Sequence, residues 1–273
     1  MRAGTAVRLL RGAVADATRA LAAAGCDTPR LDAELLVAAA AGTTRERLVL
    51  DAGPALDADA EARLRELVGR RAAREPIAYV LGRRAFRRIE LAVDPRVLIP
   101  RPETELLVEV ALELPRGAWV HDVGTGSGAV ALAIADERQD LRVSASDVSE
   151  AAVEVARANA SRLGLTVELW VASGLPEPAA GADLVVANLP YVALEEWAAL
   201  APEIVENEPR AALVAGADGL DAIRELVATA PPGTRLALEH APRQARAVRA
   251  LLGGARTLHD LAGRERVTVG TRA

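Results

Sequence analysis

Lysine is absent from this chain of 273 residues: all 33 basic side chains are arginine. That excludes a P-loop lysine, a Schiff-base lysine and a lysine general base. Cysteine occurs once, at Cys26, which excludes an internal disulfide and a cysteine-based metal cluster. Its setting, among small residues after a helical stretch, is that of an inert thiol. There are three histidines, His121, His240 and His259, and no His/Asp/Glu spacing that suits a metal, so none is expected. Positive charge is also short. The formal net charge is -5, whereas a non-specific nucleic-acid binder shows a basic surplus, so no direct nucleic-acid partner is expected. No stretch of eighteen apolar residues is free of charge, and the start of the chain lacks a cationic region followed by an apolar run and a cleavage site. A cytoplasmic protein, monomeric and without membrane association, is the expectation.

What the chain does have is apolar bulk, 51% hydrophobic residues, much of it alanine, which favours helix. Residues 1–75 read as a helical domain. Val7, Leu10, Val14 and Ala17 recur at helical spacing, as do Leu31, Leu35 and Leu36 after a Thr28-Pro29 start. Leu64, Leu67 and Val68 mark a further helix, with Asp57 and Asp59 at its N-terminal end. This domain is either a structural extension or a module that docks a partner. Residues 76–100 read as a β-hairpin linker, with strands expected over 77–82, at Phe86 and over 89–93, and turns between them. From residue 101 a helix begins at Pro102, striped by Leu106, Leu107 and Val110. Strands and helices then alternate. Strands are expected over 119–123, 141–146, 167–171, 183–187, 235–239 and 266–269, with helices opening at 130, 150, 221 and 243. The alternation predicts an α/β fold with a parallel, Rossmann-like sheet covered by helices on both faces.

Three constellations carry chemistry. Gly124-Thr125-Gly126-Ser127-Gly128 follows the first of these strands, where glycines bring backbone close to a ligand and the next helix offers unpaired N–H groups. The loop suits the methionine part of S-adenosylmethionine, but Gly124, Gly126 and Ala129 also satisfy the nicotinamide fingerprint. It does not satisfy G-x-S-x-G, so no nucleophile elbow is present. Asp122, just before it, either fixes the loop or leans toward a cofactor amine. Asp147, at the end of the second strand, is placed to accept both hydroxyl hydrogens of a ribose, which either cofactor presents. Asn188-Leu189-Pro190-Tyr191 closes the fourth strand and discriminates. An amide or adenine nitrogen has a conjugated lone pair and is a poor nucleophile. It reacts only if its two N–H groups are held while the lone pair faces the methyl donor. The Asn188 side-chain oxygen and a backbone carbonyl of Leu189 or Pro190 can accept those hydrogens, Pro190 stiffens the turn, and Tyr191 can pack on the planar group. Catalysis would then be orientation and electrostatic fit.

Asn188 to Tyr191 resembles the motif of amino-methyltransferases acting on adenine or glutamine. Three longer runs, Glu75-Pro76-Ile77-Ala78-Tyr79-Val80-Leu81-Gly82, Val97-Leu98-Ile99-Pro100-Arg101-Pro102-Glu103-Thr104-Glu105 and Asp260 to Arg266, resemble the release factor glutamine methyltransferases, the PrmC/HemK family. So do Phe86, Glu208-Pro209, Gly216 and Asp218-Gly219-Leu220. The resemblance spans nearly the whole chain. It implies a seven-stranded, mostly parallel sheet with one antiparallel strand near the C-terminal edge, in a methyltransferase domain over residues 101–273. It implies S-adenosylmethionine as cofactor, S-adenosylhomocysteine as product, and transfer to the side-chain nitrogen N5 of the glutamine in the Gly-Gly-Gln loop of peptide chain release factors. The helical domain would then dock the substrate. Adenine N6 methylation is the alternative. Leu189 departs from the commoner Asn-Pro-Pro-Tyr spelling. Ala172-Ser173-Gly174-Leu175 lacks the acidic residue that the family often has near the adenine. His240 is assigned a structural role, and His121 and His259 none.

Overall fold

The computed structural model describes residues 10–50 and 56–273; Val7 lies outside the described residues. The chain divides into two compact units. One runs through Gly82 and also takes in Pro202–Asn207, and the other holds the remainder.

The first unit is helical: α1 (Leu10–Ala23), α2 (Pro29–Ala40), α3 (Arg45–Leu50), α4 (Ala58–Ala72) and α5 (Ile77–Leu81). Leu10, Ala13, Ala17 and Leu21 form the buried stripe of α1, spaced three and four apart as a helix face requires. On α2 the stripe is offset from the sequence expectation. Leu36 is buried with Ala33, Val37 and Ala40, while Leu31 is exposed. Asp57 caps α4, accepting from the Ala60 N–H at 2.7 Å. Ile77–Leu81 is a helix and not the strand that its apolar run predicts. Pro76 stands at its start, and Gly82, at φ 68°, ends it in the left-handed conformation. A five-residue apolar run has no periodicity with which to choose between strand and helix.

Helix α9 (Pro202–Asn207), for which the sequence carries no marked signal, clusters with this unit. Its Glu203 carboxylate accepts from Arg71 at 3.0 Å and from Arg74 at 2.7 Å, and Arg71 also pairs with the buried Asp32 at 2.7 Å. Charges so buried survive only when paired. Cys26 is buried here too, its thiol directed at the Arg71 carbonyl, and burial pushes the thiol up against the opposing pull of Arg71 and Arg74.

The second unit opens with a hairpin, β1 (Arg83–Phe86) and β2 (Ile89–Ala92), turned by Arg87-Arg88. Helix α6 (Glu105–Leu112) follows the one-turn helix Pro102–Thr104. The sheet has strands β3 (Trp119–Val123), β4 (Arg142–Asp147), β5 (Glu168–Val171), β6 (Leu184–Ala187), β7 (Arg235–Glu239), β8 (Gly253–His259) and β9 (Glu265–Thr271). Their order is β5-β4-β3-β6-β7-β9-β8, with β9 antiparallel to both its neighbours and the other pairings parallel. The seven-stranded, mostly parallel α/β sheet is therefore present. Strands β3, β6 and β7 are buried almost throughout; β6 is the continuous apolar run expected of a strand covered on both faces, whereas β3 buries His121 and Asp122 as well. Strand β8 is the one the sequence reading omits. It begins Gly253-Gly254, is largely exposed and carries register shifts, so no alternating apolar pattern betrays it.

Helices α7 (Ala129–Glu137), α8 (Glu150–Leu163), α10 (Asp221–Thr229) and α11 (Ala245–Leu251) complete this unit. The chain winds outward from β3 through β4 to β5, then returns to place β6 on the other side of β3. Ligands of such sheets bind where the order reverses, beyond the carboxyl ends of the strands.

Candidate active site

A cavity of about 340 Å³ lies at that reversal. Gly124 and Gly126 from the loop after β3, Asp147 from the end of β4, and Asn188, Leu189 and Pro190 from the end of β6 all line it. Thr125, Ser127, Gly128 and Tyr191 are not part of its wall. Ala172, Ser173 and Gly174 contribute after β5, and Val97-Leu98 and Pro209 enter from elsewhere in the unit.

The glycine loop is shaped by close approach. Gly124, Gly126 and Gly128 all have positive φ, a region open to glycine at little cost. A Cβ at Gly124 would lie 3.0 Å from Leu189 Cδ2, and one at Gly128 2.8 Å from Leu132 Cδ1, whereas one at Gly126 would enter open space. The first and last glycines therefore pack, and the middle one leaves room. Asn159, fully buried on α8, donates to the Ser127 carbonyl at 3.0 Å and exchanges hydrogen bonds with Ala92 of β2. Nothing in its sequence neighbourhood marks this residue.

Asp122 is buried and accepts from the Thr125 hydroxyl at 2.7 Å, which pins the loop from beneath. Burial pushes its carboxyl up to about 7, the Asp147 charge adds to the rise, and hydrogen bonds from Thr125 and the Ala131 N–H oppose it. A carboxyl raised in the folded state favours folding below its unfolded value of 3.8, and that contribution is lost as pH rises through about 7. We therefore expect Asp122→Asn, which cannot ionise, to gain Tm relative to the native protein between about pH 5 and about pH 8. A Tm difference between the two that stays constant with pH would refute this placement of the Asp122 carboxyl.

Asp147 is half-buried. One oxygen accepts from Gly126 N–H and the other from Ser149 N–H, both at 2.9 Å. Two backbone bonds leave about half of a carboxylate's acceptor capacity free. Helix α8 is capped by Ser149 itself, which accepts from Ala152 N–H at 3.2 Å, so Asp147 is not spent on that cap.

Asn188 donates its amide N–H to Thr104 Oγ1 at 2.9 Å. Thr104 belongs to Ile99-Pro100-Arg101-Pro102-Glu103-Thr104, a run otherwise tied down by the buried Glu208, which accepts from Ile99 N–H at 3.2 Å and pairs with Arg101. Tyr191 is held at both ends. Its hydroxyl donates to Glu239 Oε1 at 3.2 Å, and its carbonyl accepts from Gln244 Nε2 at 2.9 Å. Gly219 lies flat against that carbonyl: a Cβ there would be 2.1 Å from Tyr191 O. Burial first, then the Glu239 charge, pushes the Tyr191 phenol well above its usual range. Thr104, Glu239, Gln244 and Asn159 are the contributors that sequence reasoning did not single out for a role. Thr104 lies in the Val97–Glu105 run and Glu239 at the end of an expected strand, and only the fold shows what they touch.

His121 and His240 are structural in this arrangement. His121 is buried between Ser144 at 2.9 Å and Ser146 at 3.0 Å, and burial lowers it to about 4. His240 is bonded to the Ala241 carbonyl and Thr268, and burial lowers it as well. His259 is exposed.

The residues present fit a nucleoside-bearing cofactor. A mostly apolar cavity carries a carboxylate with spare lone pairs at one wall and an open glycine edge at Gly126.

A family model described as the PrmC N-terminal domain matches residues 12–82, and one described as the Methyltransferase small domain matches residues 102–217. A Mycolicibacterium smegmatis protein named release factor glutamine methyltransferase is 44% identical over 280 residues, covering 96% of this chain and 98% of its own length. A Streptomyces coelicolor protein of the same name is 43% identical over 250 residues, 87% of each chain. Among solved structures, the hMettl16 catalytic domain in complex with MAT2A 3′UTR hairpin 6 matches with a TM-score of 0.54 at 14% identity, covering 67% of this chain and 75% of that one. At that identity the likeness is one of fold.

Proposed function

The chain belongs to the release factor glutamine methyltransferase family, and from that premise we propose that it methylates N5 of the glutamine in the Gly-Gly-Gln loop of peptide chain release factors. It is an S-adenosylmethionine-dependent methyltransferase, with S-adenosylhomocysteine as product. The cofactor supplies the methyl group already activated, as a sulfonium. The protein's own task is to hold a weakly nucleophilic amide in line and to accept the hydrogens of its nitrogen, one of which must leave as the new N–C bond forms.

The observation that carries this reading is the orientation of Asn188. Its N–H is given to Thr104, so its side-chain oxygen is the end left to accept from a substrate amide at the cavity wall. The Leu189 and Pro190 carbonyls are candidates for the second acceptor. A backbone carbonyl does not depend on the side chain of its residue, so Leu189 in place of proline leaves that role intact. Gly124, Gly126 and Asp147 would hold the cofactor, with Thr125, Ser127 and Gly128 shaping the loop behind them. Tyr191 would support the motif through Glu239 and Gln244 as well as border the substrate.

We assign the helical unit to docking of the protein substrate, since a macromolecular substrate needs more contact area than a glutamine pocket supplies. No described helix is long and apolar enough to cross a membrane. We place the protein in the cytoplasm, acting as a monomer without a nucleic-acid partner. Adenine methylation is not favoured, because the net charge is negative and the relatives carry the glutamine name.

Mass spectrometry of a purified release factor incubated with this protein and S-adenosylmethionine tests the proposal. One added methyl group on the Gly-Gly-Gln peptide is expected. An unmodified factor, or a methyl group elsewhere, would overturn it.

A further inference from the structure

Gln244 is 4% exposed, at the end of the one-turn helix Pro242–Gln244 that follows β7. The chemistry above gives it no step of its own. Both ends of its amide are engaged, and by backbone groups alone. Oε1 accepts from Ala241 N–H at 2.9 Å, while Nε2 donates to the Tyr191 carbonyl and to the Asp218 carbonyl, each at 2.9 Å. A backbone N–H can only donate and a carbonyl only accept, so this amide has one possible orientation.

We propose that Gln244 is a positioning residue for methyl transfer: through the Tyr191 carbonyl it fixes the far end of the Asn188–Tyr191 turn, and with it the Leu189 and Pro190 carbonyls offered to the target amide. The proposal rests on the glutamine-methylation reading.

The turn does not hold itself. Pro190 has no N–H with which to anchor it, and among the described residues no hydrogen bond reaches the Leu189 or Pro190 carbonyl. Both carbonyls are free for a substrate, and for the same reason neither is fixed where it stands. Their positions are set from the two ends of the turn. At one end Asn188 is tied to Thr104 at 2.9 Å. At the other, the peptide unit joining Tyr191 to Val192 is held on both sides: Val192 N–H donates to the Leu213 carbonyl at 2.8 Å, and the Tyr191 carbonyl accepts from Gln244. Gln244 therefore sets the plane of that peptide, and it occupies the Tyr191 carbonyl, which would otherwise be a rival acceptor one residue further on.

The second Nε2 bond ties this arrangement to the Asp218-Gly219 turn. Gly219 has φ 77°, and a Cβ there would lie 2.1 Å from the Tyr191 oxygen and 2.7 Å from Gln244 Nε2. The amide can bridge the two carbonyls only because nothing larger than hydrogen stands between them.

The test is single-turnover methyl transfer to a release factor by the full chain. Gln244→Met keeps the length of the side chain and removes all three bonds. It should lower the rate about tenfold to hundredfold, the scale of loss when a reacting group is misplaced by about an ångström. KM for the factor and affinity for S-adenosylhomocysteine should each stay within about threefold, since uniform binding is not what is lost. Gly219→Ala leaves the Ala241 bond alone and drives a methyl group into the same carbonyl. It should slow transfer alike, and the double variant should lose little more than either single one, because the two act as one unit. A Gln244 that merely capped the Pro242–Gln244 turn would lower Tm in Gln244→Met and leave the rate native. Tyrosine occurs only at Tyr79 and Tyr191, so carbonyl-13C tyrosine gives two signals, of which the one lost in Tyr191→Phe belongs to Tyr191. That signal should move upfield in Gln244→Met as its hydrogen bond goes. A stationary signal, a native rate in Gln244→Met, or additive losses would overturn the proposal. Should Gly219→Ala fail to fold, Gln244→Met still decides. A native protein that leaves the factor unmethylated would defeat the functional reading, and the carbonyl signal would still report on the clamp.

Discussion

Asn188→Ala should reduce single-turnover methyl transfer to a release factor by about 10²–10³-fold, the usual loss for one preorganised polar contact in a desolvated site. Two things disappear together. The target amide loses its side-chain acceptor, and Thr104 loses the N–H it accepts at 2.9 Å. The fold should survive, since the strand β6 that delivers the residue is buried through Leu184, Val185, Val186 and Ala187, not through Asn188. Asn188→Asp keeps an acceptor oxygen but has no N–H for Thr104 and adds a charge, so it should be impaired in turnover more than in binding. Leu189→Pro should stay active, because it alters a side chain packed on Gly124 and leaves the backbone carbonyl in place. The control is a factor with Gln→Ala in the Gly-Gly-Gln loop. Methylation surviving in that control, or a native rate in Asn188→Ala, would sink the amide-holding mechanism.

Asp147→Ala should weaken binding of S-adenosylhomocysteine about tenfold to hundredfold by calorimetry, since hydrogen bonds to a charged acceptor are worth roughly 1.5–3 kcal/mol. Part of the loss would come from the loop, because the same carboxylate accepts from Gly126 N–H. A ligand lacking the ribose hydroxyls separates the two contributions. If Asp147 receives those hydroxyls, the native protein should bind the dideoxy analogue more weakly than the parent, and the alanine variant should scarcely distinguish them. Equal affinity of native and Asp147→Ala for the parent ligand would remove Asp147 from the cofactor site.

The reach of the sequence depended on how local the cause of each feature was. Strands β3 and β7 were legible to the residue, β3 because it runs straight into a glycine-rich turn and β7 because Leu236-Ala237-Leu238 form an apolar run between polar ends. Helix α8 was equally plain, with its Ser149 cap and Gly164 stop. Ile77–Leu81 was misread because five apolar residues fit either state. Strand β8 was missed because its glycines and exposed face carry no pattern, and its pairing with β9 is what makes it a strand. At the cavity, Gly124, Gly126, Asp147, Asn188, Leu189 and Pro190 could be named in advance, since each sits at the carboxyl end of a recognisable strand, and topology brings such ends together.

By itself, then, the sequence determined the α/β sheet, the glycine turn after β3, the carboxylate after β4 and the amide after β6, all of which follow from periodicity and from what a turn demands of its residues. Tertiary structure alone decided that Thr104, from before α6, meets Asn188 across 84 positions of chain, that Glu239 of β7 meets Tyr191, that Gly219 lies against the Tyr191 carbonyl, and that Glu203 of α9 completes a buried ion cluster with Arg71 and Arg74. These are contacts between side chains far apart in sequence. A donor and its acceptor leave no periodic trace in the chain, and they become partners only when burial strips away the water that would otherwise satisfy each of them separately.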